Sequence, residues 1–303
     1  MKVTTLSKTL AVFLLTATSL SACAGSEYIK ASKNYVTKEV KVDNFHGINL
    51  SGIGKVEFRQ DKDTYVEMYG SDNVLALLDV RVKDGTLVIK YKKNNVNVRG
   101  NSKLSFRISS PNLDKLSVDG ACKFLFANDF QTEGDLKISV DGAGELQSGT
   151  LRCQDLKLSV DGAGKLRGET VQCRDLKLSA DGAGQLREGA VQCRALSFSV
   201  DGAASAQFKT LDAQGCKGVV DGAGKFGLAG GKAVRVSADV SGSGNLNAEN
   251  LQVATVSANV SGAGNVRCYA TDTLKVRTNG AGHVSYKGAP TIVNRSTEGI
   301  SRL

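Results

Sequence analysis

Residues 151–166 read LRCQDLKLSVDGAGKL, and close variants of this stretch recur along most of the chain. Apolar and polar residues alternate at Leu151 and Cys153, and after a shift of phase they alternate again from Leu156 to Val160. Alternation with a period of two is typical of half-buried β-strands. The tetrapeptide DGAG that follows is typical of a turn, because glycine accepts unusual backbone angles and an aspartate side chain can bond to the nearby backbone. The stretch therefore predicts short strands separated by a tight turn.

The tetrapeptide is the strongest periodic signal in the sequence. It begins, in identical or closely related form, at nine positions whose intervals are 22, then six of 20, then 18: Asp119, Asp141, Asp161, Asp181, Asp201, Asp221, Ser241, Ser261 and Asn279. This period is too short for a repeat made of two helices, but it fits one coil of a solenoid whose stacked coils bury a shared core. A leucine-rich repeat has a similar period, but its asparagine ladder and convex helix are not present. We therefore predict an all-β fold, a parallel β-helix in which each coil corresponds to one period of the tetrapeptide.

The predicted solenoid covers residues 117–288, and the segments on either side of it differ from the repeats. Residues 38–116 alternate like strands but lack the tetrapeptide, and KDGT at residues 83–86 predicts a hairpin turn. The open end of a stack of strands is a template for edge pairing and needs to be covered. We therefore expect the more irregular N-terminal β half to cap one end, and residues 289–303 to cap the other.

The N-terminal residues 1–22 have the features of a signal peptide. Two lysines precede the apolar stretch 10–17, which is too short to span a bilayer, and LSAC follows at residues 20–23. This pattern is similar to the cleavage site of bacterial lipoproteins, in which the cysteine carries the lipid. The sequence predicts lipidation of Cys23, a polar tether over residues 23–37, and anchoring to the cell envelope, with the outer membrane favoured. The alternative is an ordinary secreted protein with an incidental cysteine.

A resemblance to a known family rests on the segment 44–58, NFHGINLSGIGKVEF, together with the glycine-rich coils after it. Both are similar to the "putative auto-transporter adhesin, head GIN domain" proteins, which are common as predicted lipoproteins in Bacteroidetes. The resemblance extends from residue 38 to about residue 288. It implies a right-handed β-helix, an exported location and an adhesin-like role, and it transfers no catalytic residues.

Equivalent positions of stacked coils form columns, and the aspartates that open the turns form the first candidate surface. A ladder of calcium ions is one interpretation, because Ca²⁺ prefers carboxylate and carbonyl oxygens. However, each coil offers one carboxylate, and the column continues as serine and asparagine, which share the ability to cap a turn but not the charge. We favour the turn role for Asp119 and for the candidate residues Asp141, Asp161, Asp181, Asp201 and Asp221.

A second candidate surface carries the lysines Lys137, Lys157 and Lys177. Serines follow each lysine by two residues, and the aspartates Asp135, Asp155 and Asp175 precede each by two. A regular surface of this kind could bind a repeating polymer such as a polysaccharide. We favour a solvated face with weak charge pairing.

Three of the cysteines, Cys153, Cys173 and Cys193, occupy one column. Neighbouring parallel strands hold their Cα–Cβ bonds parallel, whereas a disulfide needs converging ones. We therefore predict buried free thiols that behave as small hydrophobic residues. Three stacked thiolates do not form a tetrahedron, and the sequence has only two histidines, so neither zinc nor any other metal or cofactor is predicted.

The sequence predicts a binding protein rather than an enzyme. Coils of constant length leave no insertions for the walls of a cleft, there is no tryptophan for sugar stacking, and no catalytic triad is recognisable. Without residues 1–22 the chain has 37 basic and 30 acidic residues, and this modest excess of +7 is spread along it, so we predict no nucleic-acid partner. The leading hypothesis is a lipid-anchored envelope protein that presents a rigid surface to glycans or to envelope or host proteins. Two alternatives remain: a periplasm-facing structural or envelope-stress protein with a protein partner, and a carbohydrate-binding module of a glycan-uptake system.

Overall fold

The regular secondary structure of the described chain is nearly all β, and most strands stack in parallel. The structure is a computed structural model that describes residues 27–93, 96–100, 103–294 and 299–303. Its N-terminal part contains eight strands and one short helix: β1 (Glu27–Lys30), β2 (Tyr35–Glu39), β3 (Gly47–Gln60), β4 (Tyr65–Ser71), α1 (Asp72–Leu75), β5 (Leu78–Lys83), β6 (Thr86–Tyr91), β7 (Val96–Arg99) and β8 (Ser105–Ser110).

The described part of the repeat region contains strands joined by turns, and no helix. These strands are β9 (Lys115–Phe126), β10 (Phe130–Gln131), β11 (Leu136–Val140), β12 (Glu145–Arg152), β13 (Asp155–Val160), β14 (Lys165–Gln172), β15 (Asp175–Ala180), β16 (Gln185–Val200), β17 (Ser205–Val220), β18 (Lys225–Leu228), β19 (Gly231–Val240), β20 (Asn245–Ser261), β21 (Asn265–Asn279), β22 (His283–Lys287), β23 (Thr291–Asn294) and β24 (Ile300–Arg302). The prediction of an all-β, parallel β-helix is confirmed.

Each regular coil contains three straight stretches and one tight turn. In the coil formed by residues 145–164, parallel ladders pair the stretches 145–148, 150–152 and 155–160 with the stretches 165–168, 170–172 and 175–180 of the next coil. The turn occupies residues 161–164. The same offset holds in the ladders of the following coils as far as β20. Side chains separated by one period therefore lie directly above one another.

The hydrophobic core is a set of inward columns inside the coils. One column is buried over seven coils and contains Leu136, Leu156, Leu176, Leu196, Cys216, Val236 and Val256. Burial of one aliphatic side chain of this size contributes roughly 1.5–3 kcal/mol. A coil alone exposes these residues, so the stabilisation arises only when coils stack.

The second residue of each tetrapeptide must be glycine for two reasons. Gly162 has φ +66°, a left-handed conformation that residues with a Cβ rarely adopt. A Cβ at Gly162 would also lie 3.0 Å from the carbonyl oxygen of Gly142 in the previous coil. That carbonyl accepts a hydrogen bond of 2.8 Å from the amide of Ala163, which ties the two turns together. The predicted turn is confirmed, and it also fixes the spacing of the coils.

The solenoid begins earlier than the sequence indicated. Strand β3 pairs with β9 in parallel from Gly47 to Phe58, which sets Ser51–Gly54 opposite Asp119–Cys122. The tetrapeptide SGIG at residue 51 therefore stacks on the first of the nine copies and is a tenth copy of the motif, which the sequence analysis did not include. Here the four residues lie within the continuous strand β3. This copy lies more than three periods before the next one at Asp119, so it falls outside the regular spacing.

The chain between β3 and β9 covers the open side of this first coil. β6 pairs with β3 over Gly47–Leu50, and β8 pairs with it over Lys55–Gln60. β5 and β6 form the predicted hairpin, in which Asp84 and Gly85 have φ of 49° and 69°. β2, β4 and β8 form an antiparallel sheet beside it. These strands occupy the backbone groups that an open first coil would expose.

The two ends of the described chain are also paired. β1 forms a parallel pair with β7, and β2 pairs with β4, so residues 27–30 and 35–37 of the expected polar tether are strands of the fold. At the other end, β23 pairs with β21 and β24 pairs with β22, which adds a last incomplete coil. The predicted signal peptide and Cys23 lie outside the described residues. Within the described part of the chain, no helix has the length and apolar character needed to cross a membrane.

Candidate binding surfaces on the solenoid

The aspartate column lies on the turns, and most of its carboxylates are bonded there. The amides of Gly142, Gly202 and Gly222 each donate a hydrogen bond of 2.6 Å to the carboxylate of the aspartate before them. The Ser241 hydroxyl and the Gly222 amide donate to Asp221 and hold its pKa below the usual value. The turn role predicted for this column is therefore visible in the hydrogen bonds.

Asp161 is oriented differently from its neighbours, since its carboxylate accepts a weaker bond of 3.3 Å from the Ser159 hydroxyl. In the described ranges 27–93, 96–100, 103–294 and 299–303, no three His, Cys, Asp or Glu side chains come close enough together to hold a metal ion.

The lysine column is longer than the three predicted residues. Its exposed members Lys137, Lys157 and Lys177 are ladder partners. The column also includes Lys115 before them and, after a serine, Lys217. Like charges stacked on a sheet face repel.

Two of the three aspartates beside the lysines, Asp155 and Asp175, are bonded to arginines instead. The guanidinium of Arg174 binds both carboxylate oxygens of Asp155, at 2.9 and 2.5 Å. Arg194 binds Asp175 in the same way one coil later, at 3.1 and 2.6 Å. Arg194 thereby holds the pKa of Asp175 below its usual value. The sequence interpretation paired these carboxylates loosely with the lysines, whereas the structure pairs them with arginines of the following coil.

The cysteine column is less buried than predicted. Cys153, Cys173 and Cys193 are half-buried at the bend between the second and third stretches, where they pack against the core. All six cysteines of the described residues are free thiols, as predicted. Partial burial raises the pKa of Cys153 and of Cys193 to about 12, with a smaller contribution from nearby aspartates. These thiols therefore carry little thiolate at neutral pH.

The structure also contains a buried acid that the sequence analysis missed. Glu188 is 3% exposed, and neither of its carboxylate oxygens has a hydrogen-bond partner. It lies in an inward column with Ser148, Gly168 and Phe208 as its equivalents in neighbouring coils. A Cβ on Gly168 would overlap with a Glu188 oxygen, so the absence of a side chain at Gly168 leaves the space that the carboxyl fills. Burial raises the pKa of Glu188 to about 8.

A signal for Glu188 was present in the repeats. Aligned on the tetrapeptide, the segments read QSGT at residue 147, RGET at 167 and REGA at 187. The order of glycine and glutamate is reversed between the last two segments. The reversal moves the acid from the exposed position of Glu169 to the buried position of Glu188.

Stacked parallel coils, turn glycines and outward columns define the protein as a parallel β-solenoid with repeating surfaces. The family model described as "putative auto-transporter adhesin, head GIN domain" matches residues 44–212 and 188–290. The chain belongs to this family, and the resemblance noted in its sequence is confirmed.

Three solved structures of similar fold come from two Parabacteroides species. A crystal structure titled a putative adhesin from Parabacteroides distasonis is 20% identical with a TM-score of 0.58, and the match covers 91% of this chain and 99% of that one. A putative lipid binding protein from the same organism is 22% identical with a TM-score of 0.53, with coverage of 91% and 100%. A putative adhesin from Parabacteroides merdae is 17% identical with a TM-score of 0.51, with coverage of 91% and 98%. At these identities the likeness concerns the fold alone. No curated protein matches the sequence.

Proposed function

We propose that this chain is a non-enzymatic, lipid-anchored protein of the cell envelope whose solenoid presents rigid columns of side chains to glycans or proteins. One observation carries the proposal: ladders without register shifts hold outward residues such as Lys137, Lys157 and Lys177 at the spacing of neighbouring strands. That spacing is about 4.8 Å. A surface of this kind suits a partner that offers repeated contacts, and membership in the adhesin family supports the same role.

Cys23 is the proposed point of attachment, on the evidence of the sequence LSAC at residues 20–23. β1 begins at Glu27, four residues later. Four residues extend at most about 14 Å. A lipid on Cys23 would therefore hold the N-terminal part of the fold close to the bilayer. Attachment through several acyl chains gives the stable anchoring that a single chain does not.

Replacement of Cys23 with alanine tests the anchor. The variant should leave the membrane fraction, because no lipid can be attached to alanine. A conservative change at a free cysteine of the repeats, Cys173→Ser, is the control and should leave membrane association unchanged. Persistent membrane fractionation of the Cys23→Ala protein would contradict the lipid anchor.

Exposure on the cell can be tested with an epitope tag placed after Leu303, because a tag is cleaved even where the solenoid resists proteases. Intact cells are treated with protease, and the tag is compared with a tagged periplasmic protein. Loss of the tag with the control intact supports presentation outside the cell. Survival of the tag until lysis contradicts outward presentation and favours the periplasm-facing structural role.

A further inference from the structure

A groove of about 960 Å³ crosses five successive coils on one corner of the solenoid. It lies where the first and second stretches of each coil meet, which is also where the ladders are interrupted. Small residues such as Gly168, Gly189 and Gly227 form its depression, and the buried rings of Phe208 and Phe226 lie beneath it. Five coils at a spacing of about 4.8 Å make it about 19 Å long.

Four cations line this groove, one in each of four successive coils: Arg167, Arg187, Lys209 and Lys225. We name it the basic groove after these residues. All four side chains are exposed, and Arg167 and Arg187 are direct ladder partners. Like charges in directly opposed positions destabilise a sheet.

The cations of the basic groove differ from those on the neighbouring face in their partners. Arg174 and Arg194 are each neutralised by two bonds to an aspartate. Arg167 and Arg187 form no direct ion pair with any part of the chain that the structure describes, and the one exposed carboxylate lining the groove is Glu169. The carboxyl of Glu145 is bonded to Lys123, which lowers its pKa, and Arg167 makes only a secondary contribution to that lowering. A row of cations with few carboxylates beside it is complementary to a row of anions.

The rest of the lining distinguishes between polyanions. Asn245, Asn247 and Asn250 lie at the end of the groove beyond the cations, and their amides can donate to and accept from hydroxyl groups. Phe208 and Phe226 are buried, so neither offers a ring face on which a nucleic-acid base could stack. The lining therefore suits sugar hydroxyls and acidic groups better than bases.

We propose that the basic groove binds an acidic polysaccharide whose chain runs along the solenoid axis and sets its carboxylates or sulfates beside the four cations. The inference deepens the proposed function, on which it rests, by naming the ligand class of one surface. It assigns binding to this corner and not to the lysine column considered from the sequence.

The test measures binding of polygalacturonate and of dextran sulfate to the full-length protein purified in detergent, with neutral dextran as the uncharged polymer. The variant is Arg167→Gln with Arg187→Gln, because glutamine already occupies this column at Gln147 and Gln207. Matched to it is Lys157→Gln with Lys177→Gln, which removes the same charge from the lysine column. Thermal melting of each variant shows that it is folded.

We expect saturable binding of at least one acidic polymer and none of neutral dextran. The Arg167/Arg187 variant should bind at least about tenfold more weakly, since it loses two charge-assisted contacts. The lysine variant should bind like the unmodified protein. The proposal would be overturned if no acidic polymer bound saturably, or if both double variants weakened binding equally. It would also be overturned if poly(dT) bound as tightly as the polysaccharide and lost affinity equally in the Arg167/Arg187 variant. The binding assay uses purified protein, so its result does not depend on whether the protein is exposed on the cell. Absence of polysaccharide binding would overturn the ligand assignment, but it would not affect the result of the protease experiment on intact cells.

Discussion

Replacing Glu188 with glutamine should remove a pH-dependent weakness from the middle of the solenoid. The carboxyl is 3% exposed and has no hydrogen-bond partner, so the folded coil tolerates it far better in its neutral form. In the unfolded chain the same group ionises at its ordinary pKa. The folded protein therefore binds the extra proton, and its stability falls as the pH rises.

The size of the effect follows from the shift in pKa, from 4.5 to about 8. The stabilisation of the neutral form is complete below pH 4.5 and is lost progressively up to about pH 8. One unit of pKa corresponds to about 1.4 kcal/mol, so the loss is on the order of 3 kcal/mol at pH 7 and 5 kcal/mol above pH 8. Glutamine has nearly the same shape and does not titrate. The Glu188→Gln protein should match the unmodified protein at pH 4 and exceed it increasingly toward pH 8.

Hydrogen exchange of the segment 181–200 is the suitable assay, because a repeat protein can open locally without unfolding as a whole. Exchange is compared at pH 5 and pH 8 after correction for the intrinsic rate. Glu169→Gln is the matched control, since this exposed glutamate lies one coil earlier and should show no such effect. Equal pH dependence of protection in the unmodified and Glu188→Gln proteins, or an equal effect of the control, would refute the reasoning.

Three further outcomes are expected. Gly162→Val should lower the free energy of unfolding in urea by more than about 2 kcal/mol, since it combines a left-handed φ with a close carbonyl, whereas Gly215→Ala, which has open space around it, should not. An unchanged midpoint for Gly162→Val would contradict the turn geometry. Cys153 and Cys193 should react with iodoacetamide at pH 8 at least about a hundredfold more slowly in the native protein than in urea, because burial raises the pKa of both thiols. Mass spectrometry can follow the alkylation, and equal rates in the two conditions would mean that the bend is open to solvent. Asp221→Ala should lower the melting temperature more than Asp221→Asn, because asparagine keeps an acceptor for the Gly222 amide and alanine does not; equal losses would point to a role for the charge.

The coil and its turn could be predicted from the sequence because both are local and repeated. The constant interval between tetrapeptides, the alternation around Leu156 and the DG pair at Asp161 each specify one part of the same unit. The copy of the tetrapeptide at Ser51 could not be recognised in the same way. Its four residues have the same pattern, but the strands inserted before Asp119 break the period, and only the pairing of β3 with β9 brings the two copies together.

The candidate surfaces could be predicted in part. The columns of lysines, aspartates and cysteines follow from spacing alone, since equal positions of equal coils must stack. The partners within those columns do not follow from spacing. Arg174 reaches the aspartate of the previous coil because the bend places its guanidinium there. A periodic pattern gives the position of each residue in its coil, but it does not show which side chains meet across a bend.

The sequence by itself determined that this chain is a stack of short parallel strands. Alternating apolar residues specify strands with one buried face, and glycine permits the tight turn, and both signals lie within a single coil. Tertiary structure alone decided which charges are neutralised and which are left open. Asp155 is bonded to Arg174 of the next coil, whereas Arg167 and Arg187 form no ion pair among the residues that the structure describes. Glu188 is enclosed because Gly168 of the neighbouring coil leaves room for it. The physical reason is that pairing and burial depend on side chains of neighbouring coils, which meet only after the coils have stacked.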